Sequence, residues 1–194
     1  DGKTNGITAP NTESQTRLEQ EVYDRYGIDP SNIQLVEAHG TGTKLGDPIE
    51  VEGLKKAFAK YTQNKEYCAL GSVKSNIGHC LTAAGIAGIA KLVLALKHKQ
   101  LPPSINFEQL NEHIDLTGSP FYVNSRLQEW KVGDAQPRQA AISAFGFSGT
   151  NAHIVIGEYL PAAVTKSAVS VLTQDGKAII PLSARTAVQL RQKA

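Results

Sequence analysis

Two short apolar runs are each followed by a polar, glycine-containing loop and then by a helical pattern, and this order constrains the fold most. The run at residues 33–38 precedes the loop 39–46, and the run at 69–73 precedes the loop 74–79. Apolar runs of this length, bounded by turn residues, are typical of buried strands. Consecutive strand–loop–helix units predict an α/β fold in which the two strands are parallel neighbours.

The helices after these loops carry local signatures of their own. Asp47 suits an N-cap and Pro48 the first helical position, while Glu50 three residues on can close a capping box. The second helix, over about 82–99, contains Gly85 and Gly88, which weaken helix propensity. Two such glycines in an apolar helix predict close backbone packing in a core.

The rest of the chain adds one helix and several strands. Residues 12–26 are predicted to be helical because Leu18, Val22 and Tyr26 recur every four residues and Gly27 occupies a stop position. Antiparallel-looking strands are predicted at 121–124, 140–145 and 152–158. The expected architecture is therefore α/β, with a mixed sheet and buried central helices.

Composition excludes several classes of protein. The 194 residues are 41% hydrophobic and 20% charged, with a net charge of +2 and no basic run of the kind that nucleic-acid-binding proteins carry. No apolar stretch reaches the roughly 18 residues of a membrane span, since Lys91 interrupts the most hydrophobic segment, residues 83–96. Cys68 and Cys80 are too few for a disulfide framework, which favours the cytoplasm, and no Cys/His metal-binding spacing occurs. We therefore expect no nucleic-acid, membrane or metal partner.

The chain contains no methionine, even at position 1, so we expect a piece of a longer protein. Composition changes near residue 161, where 161–174 resembles a linker. The segments 179–182 and 186–193 read as a strand and a helix that begin a new unit. The expected organisation is one main domain over 1–160, followed by a linker and the start of a flanking subdomain over 161–194.

The loop HGTGTKLGD begins at His39, directly after the first buried strand. Open α/β sheets place their ligands at this position. The glycines are spaced G-x-G-x-x-x-G, one residue off the dinucleotide fingerprint, which disfavours a dinucleotide site. A tight turn with a hydrogen-bonded histidine remains the alternative explanation.

The loop KSNIGH ends at His79, between the second strand and its helix. The positive end of a helix dipole disfavours the imidazolium form, and a neutral imidazole can donate a hydrogen bond to a carbonyl or enolate oxygen. Taken alone, a structural role explains such a histidine better. Two histidines on equivalent loops, His39 and His79, instead indicate a pair that converges on one small site.

Other candidates keep more than one interpretation. The loop FGFSGTNAH over 145–153 can present backbone N–H groups to an oxyanion, although a plain β-turn explains it too. Glu50 is either a cap residue or a support for catalysis. Cys68 opens an apolar strand and is expected in the core. Cys80 is not expected to act as a nucleophile with His79, because adjacent side chains at a helix entrance diverge.

Three motifs together resemble the β-ketoacyl synthase family: VEAHGTGT at 36–43, VKSNIGH at 73–79 and GFSGTNAH at 146–153. The match is closest to ketosynthase domains of bacterial modular polyketide synthases, of the type I, trans-acyltransferase kind. It covers residues 1 to about 160 and only the C-terminal half of such a domain, because the family's nucleophilic cysteine motif has no counterpart here. The tail over 162–194 resembles the start of the linker subdomain that follows such ketosynthases.

The resemblance implies a thiolase-like fold, a layered α/β/α/β/α domain of which this chain would be the C-terminal half. It assigns the two catalytic histidines to His39 and His79, the family lysine to Lys74, and the acidic partner of that lysine to Glu50. It also implies a homodimer in the intact domain.

Further roles follow from the same resemblance. Thr41 and Thr43 match positions that hydrogen-bond the phosphopantetheine arm of an acyl carrier protein. Phe147 matches the residue whose N–H completes the oxyanion hole together with the N–H of the nucleophilic cysteine. Leu81 departs from the family, in which many relatives carry Gln or Glu two residues after the second histidine.

The implied reaction is a decarboxylative Claisen condensation of an acyl-cysteine thioester with malonyl-acyl carrier protein. The implied partners are the missing N-terminal half of the domain and the acyl carrier protein, and no cofactor is bound directly. The chain alone is expected to be inactive. One alternative is a non-condensing ketosynthase-like domain, which usually loses the first histidine, here kept as His39. The other is a structural or docking piece, which the tail after residue 161 favours.

Overall fold

A five-stranded mixed β-sheet organises the structure, a computed structural model that describes residues 9–133, 136–161 and 184–193. Its strands are β1 (Ile33–Glu37), β2 (Cys68–Gly71), β4 (Phe121–Val123), β6 (Gln139–Phe145) and β7 (Asn151–Gly157). A separate antiparallel pair is formed by β3 (Gln100–Leu101) and β5 (Gln128–Glu129). The helices are α1 (Thr12–Tyr26), α2 (Gly46–Ala59), α3 (Lys74–Ile77), α4 (Ala84–His98) and α5 (Ala187–Lys193).

The strand order of the large sheet is β4-β2-β1-β6-β7. The strands β4, β2, β1 and β6 are parallel, and only β7 runs antiparallel to its neighbour β6. Val36 of β1 pairs with Leu70 of β2 on one side and with Ala141 of β6 on the other. The predictions of parallel neighbours and of a mixed sheet are confirmed. The prediction that the three later strands are antiparallel is right only for the pair β6 and β7, since β4 is parallel to β2 and β6 is parallel to β1. As a consequence, the carboxyl ends of β1, β2 and β6 meet at one edge of the sheet.

Helices cover both faces of this sheet. On one face, Leu54 and Phe58 of α2 and Tyr23 of α1 pack against Ile33 and Val36. On the other face, apolar side chains of α4 form a second core with β1 and β6; this core contains Leu35, Leu92, Ala95, Leu96, Ala140 and Ile142. Both faces of the central strand are therefore buried, which explains why Leu35 and Val36, on opposite faces of β1, are both apolar.

Helix α1 has the predicted bounds but a different buried face. Gly27 ends it in the left-handed conformation at φ +61°, as predicted. Tyr26, one of the residues of the four-residue repeat, is 69% exposed. The buried side chains are instead Gln15, Thr16, Glu19 and Tyr23. The inner face of α1 is thus largely polar, and apolar periodicity could not locate it.

Helix α2 begins differently from the prediction. It starts at Gly46, so Asp47 lies inside the first turn and is not the N-cap. The Asp47 carboxylate accepts the N–H of Gly42 at 3.1 Å, and the Thr43 hydroxyl accepts the N–H of Gly46 at 3.0 Å. The loop is therefore closed by hydrogen bonds to its own backbone, and no capping box joins Glu50 to Asp47.

Close packing at the glycines of α4 is confirmed. A Cβ atom at Gly88 would lie 2.4 Å from Ile142 Cδ1 and 3.0 Å from Glu37 Cγ, whereas one at Gly85 would meet its nearest atom, Ala144 Cβ, at 3.4 Å. A side chain at Gly88 would therefore hold α4 away from the sheet, whereas a methyl group at Gly85 would make an ordinary van der Waals contact.

The opposite face of α4 is apolar and exposed. Ile86, Val93 and Leu94 are 69%, 48% and 53% exposed. The helix is thus buried on one side only within this chain. The prediction of buried central helices therefore holds for only one face of α4. In the described part of the chain, Leu81–His98 is also the one helical stretch apolar enough to cross a membrane, with a mean hydropathy of 1.4. A core helix of a folded domain has the same property.

The chain divides into two compact units, residues 1–159 and 160–194. Within the second unit, the helix predicted at 186–193 is confirmed as α5. The strand predicted at 179–182 and nearly all of the predicted linker at 161–174 lie outside the described residues.

Candidate active site

Three loops at one edge of the sheet bring the predicted site residues together. His39 follows β1, and the loop to His79 follows β2. Their imidazole rings meet edge to face, with centroids 5.5 Å apart and planes at 86°. The two loops also pack closely: a Cβ atom at Gly40, whose φ is +45°, would lie only 2.8 Å from Cβ of Ser72. The convergence of the two histidines on one small site, predicted from the sequence, is a feature of this structure.

Backbone hydrogen bonds fix the tautomer of both rings. The N–H of Leu81 donates to Nδ1 of His79 at 3.0 Å, and the N–H of Phe145 donates to Nδ1 of His39 at 3.4 Å. A ring nitrogen that accepts a hydrogen bond carries no proton, so the proton of the neutral ring lies on Nε2. Both imidazoles therefore offer an Nε2–H donor.

Burial keeps His39 uncharged. Desolvation, together with the positive charge of Lys74 and the neighbouring His79, lowers the pKa of His39 to about 4. The neutral form is thus the stable one at neutral pH. His79 is exposed and follows the short helix α3. Its position differs from the expected start of a long helix, since a 3-10 turn at Leu81–Ala83 separates it from α4.

Glu50 ties the backbone of the first loop. Its two carboxylate oxygens accept the N–H of His39 at 2.6 Å and the N–H of Gly40 at 2.9 Å. The side chain is buried, and burial raises the pKa of Glu50 to about 7 against the opposing effect of these two N–H groups. Glu50 therefore sets the position of His39 through the main chain.

Lys74 lies near Glu50 without touching it. No ion pair joins Lys74 to a carboxylate in the part of the chain that the structure describes, and both oxygens of Glu50 accept backbone N–H groups instead. Partial burial lowers the pKa of Lys74, and the charges of Glu50 and Glu37 oppose that shift. The expected direct pair with Glu50 is thus replaced by an interaction through space.

Thr41 and Thr43 lie on the exposed part of the first loop. Their hydroxyl oxygens are 3.3 Å apart, and that of Thr43 also accepts the N–H of Gly46. The Thr43 hydroxyl is therefore committed to the shape of the loop, whereas Thr41 keeps hydrogen-bonding capacity for a ligand.

Phe147 opens the 3-10 turn Phe147–Gly149 between β6 and β7, and its side chain is 70% exposed. The turn is closed by the Gly146 N–H, which donates to Thr150 O, and by the Thr150 N–H, which donates to Phe147 O. The first N–H groups of such a turn have no partner inside the turn. The Phe147 N–H is accordingly left to donate elsewhere.

Several residues of the site were not singled out from the sequence. Phe145 contacts His39 with its ring, at a centroid distance of 5.7 Å, as well as with its N–H. Glu37, the last residue of β1, is fully buried and ion-paired with Lys91. The signal that could have found it is its charge: an acidic residue at the end of an apolar strand requires a buried partner.

A buried polar cluster lies behind Glu50, between α1 and the sheet. Ser143 Oγ and His153 Nδ1 are 2.9 Å apart, and the ring of His153 meets that of Tyr23 at 5.3 Å. Burial raises the pKa of Glu19 well above its ordinary value, and the charge of Glu50 raises it further. Burial therefore favours the protonated form of the Glu19 carboxyl group.

The two cysteines have the predicted surroundings. Cys68 is fully buried in β2, and burial raises the pKa of its thiol; both cysteines are free thiols. Cys80 is half-buried, and its Sγ contacts Gly78 O at 3.9 Å. Within the described residues, no group of three or more His, Cys, Asp or Glu side chains is arranged to hold a metal ion.

Comparison with known families shows to which family the chain belongs. The family described as "Beta-ketoacyl synthase, C-terminal domain" matches residues 1–108, and "Ketoacyl-synthetase C-terminal extension" matches residues 111–194. The chain belongs to the β-ketoacyl synthase family. This synthase chain carries the C-terminal part of a ketosynthase domain of the polyketide synthase type, as the resemblance had implied.

Individual relatives are similar over all or most of this chain. Polyketide synthase PksL of Bacillus subtilis (strain 168) is 52% identical over 194 residues, which cover 100% of this chain and 4% of that protein. The ketosynthase from module 6 of the bacillaene synthase from Bacillus subtilis 168 is 56% identical with a TM-score of 0.81, over 83% of this chain and 29% of that one.

A second solved structure extends the match. The ketosynthase from module 1 of the bacillaene synthase from Bacillus amyloliquefaciens FZB42 is 42% identical with a TM-score of 0.78, over 100% of this chain and 32% of that one. The synthase chain therefore spans about a third of the solved ketosynthases. Its fold is thiolase-like, a mixed α/β architecture, as expected.

Proposed function

We propose that this chain supplies the decarboxylation half of a ketosynthase active site in a polyketide synthase. The complete domain would catalyse decarboxylative Claisen condensation of an acyl-cysteine thioester with malonyl-acyl carrier protein. The observation that carries the proposal is the pair His39 and His79, whose Nε2–H groups are both donors because backbone N–H groups occupy both Nδ1 atoms.

The chemistry begins with loss of carbon dioxide. The malonyl carboxylate leaves as carbon dioxide, and the electron pair of the broken carbon–carbon bond forms an enolate on the thioester. The enolate oxygen needs hydrogen-bond donors that are in place beforehand. His39 and His79 supply two, and the neutral state of His39 means that it donates without giving up a full proton.

Condensation follows at the acyl group. The enolate carbon attacks the acyl-cysteine carbonyl, and the tetrahedral oxyanion collapses with release of the cysteine thiolate. The N–H of Phe147 would donate to this oxyanion together with the N–H of the nucleophilic cysteine, which belongs to the N-terminal half of the domain. Lys74 would add positive charge near the leaving carboxylate, and Glu50 would hold His39 in place through its backbone.

The proposed partners follow from the same chemistry. Malonyl groups reach the site on the phosphopantetheine arm of an acyl carrier protein, and the exposed loop with Thr41 and Thr43 would bind that arm. The N-terminal half of the domain would cover the apolar outer face of α4, formed by Ile86, Val93 and Leu94. No cofactor is required directly. A homodimer and a cytoplasmic location complete the proposal, the latter because Cys68 and Cys80 are free thiols.

A complete ketosynthase domain carrying this chain tests the proposal. It is incubated with an acyl thioester and with malonyl-acyl carrier protein labelled in the free carboxylate, and carbon dioxide and the β-ketoacyl product are measured. Equal amounts of both are expected. Acylation without release of carbon dioxide would support the non-condensing alternative. The chain alone should give neither product, and stoichiometric acylation of Cys80 in mass spectra would overturn its proposed inactivity.

A further inference from the structure

A second buried carboxylate ends β1, two residues before His39. Glu37 is 1% exposed, and its Oε1 accepts the N–H of Val73 at 2.5 Å. Its Oε2 accepts a hydrogen bond from Nζ of Lys91 in α4, also at 2.5 Å. The side chain of Lys91 is only 12% exposed, so this pair is largely removed from water. Neither residue is used by the proposed reaction.

The hydrogen bond to Val73 acts on the second histidine loop. Val73 directly precedes Lys74, the first residue of α3, and His79 closes the same loop. Glu37 therefore holds the start of this loop against the end of β1. Glu50 does the same for the first loop by binding the N–H groups of His39 and Gly40. Each histidine loop is thus tied by one buried carboxylate.

The surroundings of Glu37 leave its carboxylate little freedom to move. Helix α4 packs directly on it, since a Cβ at Gly88 would lie 3.0 Å from Glu37 Cγ. Burial raises the pKa of Glu37, whereas Lys91, the N–H of Val73 and the charge of Lys74 lower it. Lys91 compensates the negative charge of the carboxylate. It binds Oε2, so Oε1 remains available to the N–H of Val73.

We propose that Glu37 is a positioning residue that holds the Lys74–His79 loop at its working distance from His39, and that Lys91 is its counter-ion. This inference rests on the proposed function. If Glu37 and Lys91 formed only a structural ion pair, decarboxylation would depend on whether both charges are present. If Glu37 is a positioning residue, decarboxylation depends on the acceptor for the Val73 N–H, whether or not the charges are present.

Two double variants of the complete ketosynthase domain separate these roles. In Glu37→Gln with Lys91→Met, the charges are gone but an amide oxygen still accepts the Val73 N–H. In Glu37→Leu with Lys91→Met, the charges are gone and the acceptor is lost as well. The half-buried pair Arg138 and Glu158, 2.7 Å apart at the other side of the sheet, supplies a control in Arg138→Met with Glu158→Leu.

Decarboxylation of malonyl thioester and self-acylation of the nucleophilic cysteine are measured separately. The Gln variant should decarboxylate at nearly the parent rate. The Leu variant should lose at least about tenfold in decarboxylation with self-acylation unchanged, because a misplacement of about 1 Å can cost on the order of 10²-fold. Equal decarboxylation in both variants would overturn the inference, as would an equal loss of both activities.

A third variant removes the same hydrogen bond from the donor side and serves as the test if the Leu variant does not fold. Val73→Pro removes the donor and leaves both charges, and the φ of −62° at Val73 suits proline. It should reproduce the selective loss of decarboxylation. The imidazole ¹⁵N signals of His79 provide a readout that does not need activity: they should shift in the Leu and Pro variants and not in the Gln variant. If the parent domain releases no carbon dioxide but the His79 signals still shift in the Leu and Pro variants, the proposed reaction is wrong and the positioning role stands.

Discussion

The imidazole rings of His39 and His79 lie edge to face, 5.5 Å between centroids, and each accepts a backbone N–H at Nδ1. The two donors of this arrangement come from different parts of the chain: Phe145 lies in β6, whereas Leu81 opens the 3-10 turn before α4. The protonation pattern of the site is therefore a property of the folded backbone. It leaves an Nε2–H donor on each ring without requiring a charge on His39.

Replacing His39 by alanine in the complete domain should abolish most decarboxylation. The loss of one prearranged donor is expected to lower this rate by about 10²–10³-fold. Self-acylation should remain, because His39 is assigned to the enolate and not to the thiol. Carbon dioxide release and mass spectra of the acyl-enzyme check the two steps. His113→Ala, at an exposed surface histidine, is the control. Blocked acylation with normal decarboxylation would contradict this assignment.

The low pKa of His39 predicts how stability depends on pH. Its folded value of about 4 lies below the unfolded value near 6.5, so the unfolded state binds more protons between these limits. The contribution of His39 is complete above about pH 6.5 and is lost as the pH falls toward 4. Denaturant unfolding at pH 5 and pH 7 should show a smaller difference for His39→Gln than for the parent domain. An unchanged difference would mean that the ring is not buried as described.

Glu50 and Lys74 should behave as nearly independent residues in a double-mutant cycle. Because Lys74 forms no ion pair with Glu50, we expect a coupling free energy of only about 0–1 kcal/mol. Glu50→Ala alone should be costly, at about 1–3 kcal/mol for each N–H group left unpaired at His39 and Gly40. Unfolding free energies of the two single variants and the double variant decide the point. A coupling of several kcal/mol would indicate a direct pair.

Glu19→Gln should stabilise the protein most at high pH. Burial raises the pKa of Glu19 above its unfolded value, so its carboxyl group favours folding only while protonated. Its contribution is complete below pH 4.5 and is lost as the pH rises toward the folded pKa. Glutamine cannot ionise, so the gain in unfolding free energy should be larger at pH 8 than at pH 5. Glu21→Gln, on the exposed side of the same helix, should give no such trend.

The two glycines of α4 should respond in opposite ways to alanine. At Gly88, a methyl group would clash with Ile142 and Glu37, and overpacking of this kind typically costs about 1–3 kcal/mol. At Gly85 the nearest atom is 3.4 Å away, and alanine should stabilise the helix by up to about 1 kcal/mol. Thermal unfolding of the two variants compares them directly. Equal effects would show that α4 does not pack as closely as the structure has it.

Local sequence patterns determined the longer helices and the strands of the large sheet, but not the short elements α3, β3 and β5. The apolar run before His39 specified β1, the stop at Gly27 specified the end of α1, and the glycines of α4 indicated close packing. The two histidine loops could also be predicted from the sequence, because each pattern is local and places a strand, a turn and a helix start within about ten residues. The same local character explains the wrong start of α2, where Asp47 binds the loop behind it.

Only the tertiary structure decided which distant groups meet. The polar buried face of α1, the ion pair of Glu37 with Lys91 and the hydrogen bond of Phe145 to His39 join residues that are far apart in the sequence. Glu50 binds the backbone N–H groups of His39 and Gly40, at the start of the loop that leads to its own helix, and not Lys74. A sequence pattern shows which residue types are present, but a buried charge or a tautomer depends on what surrounds it in space. The sequence alone therefore determined the elements and the two histidines, whereas packing against the sheet decided their partners and their protonation.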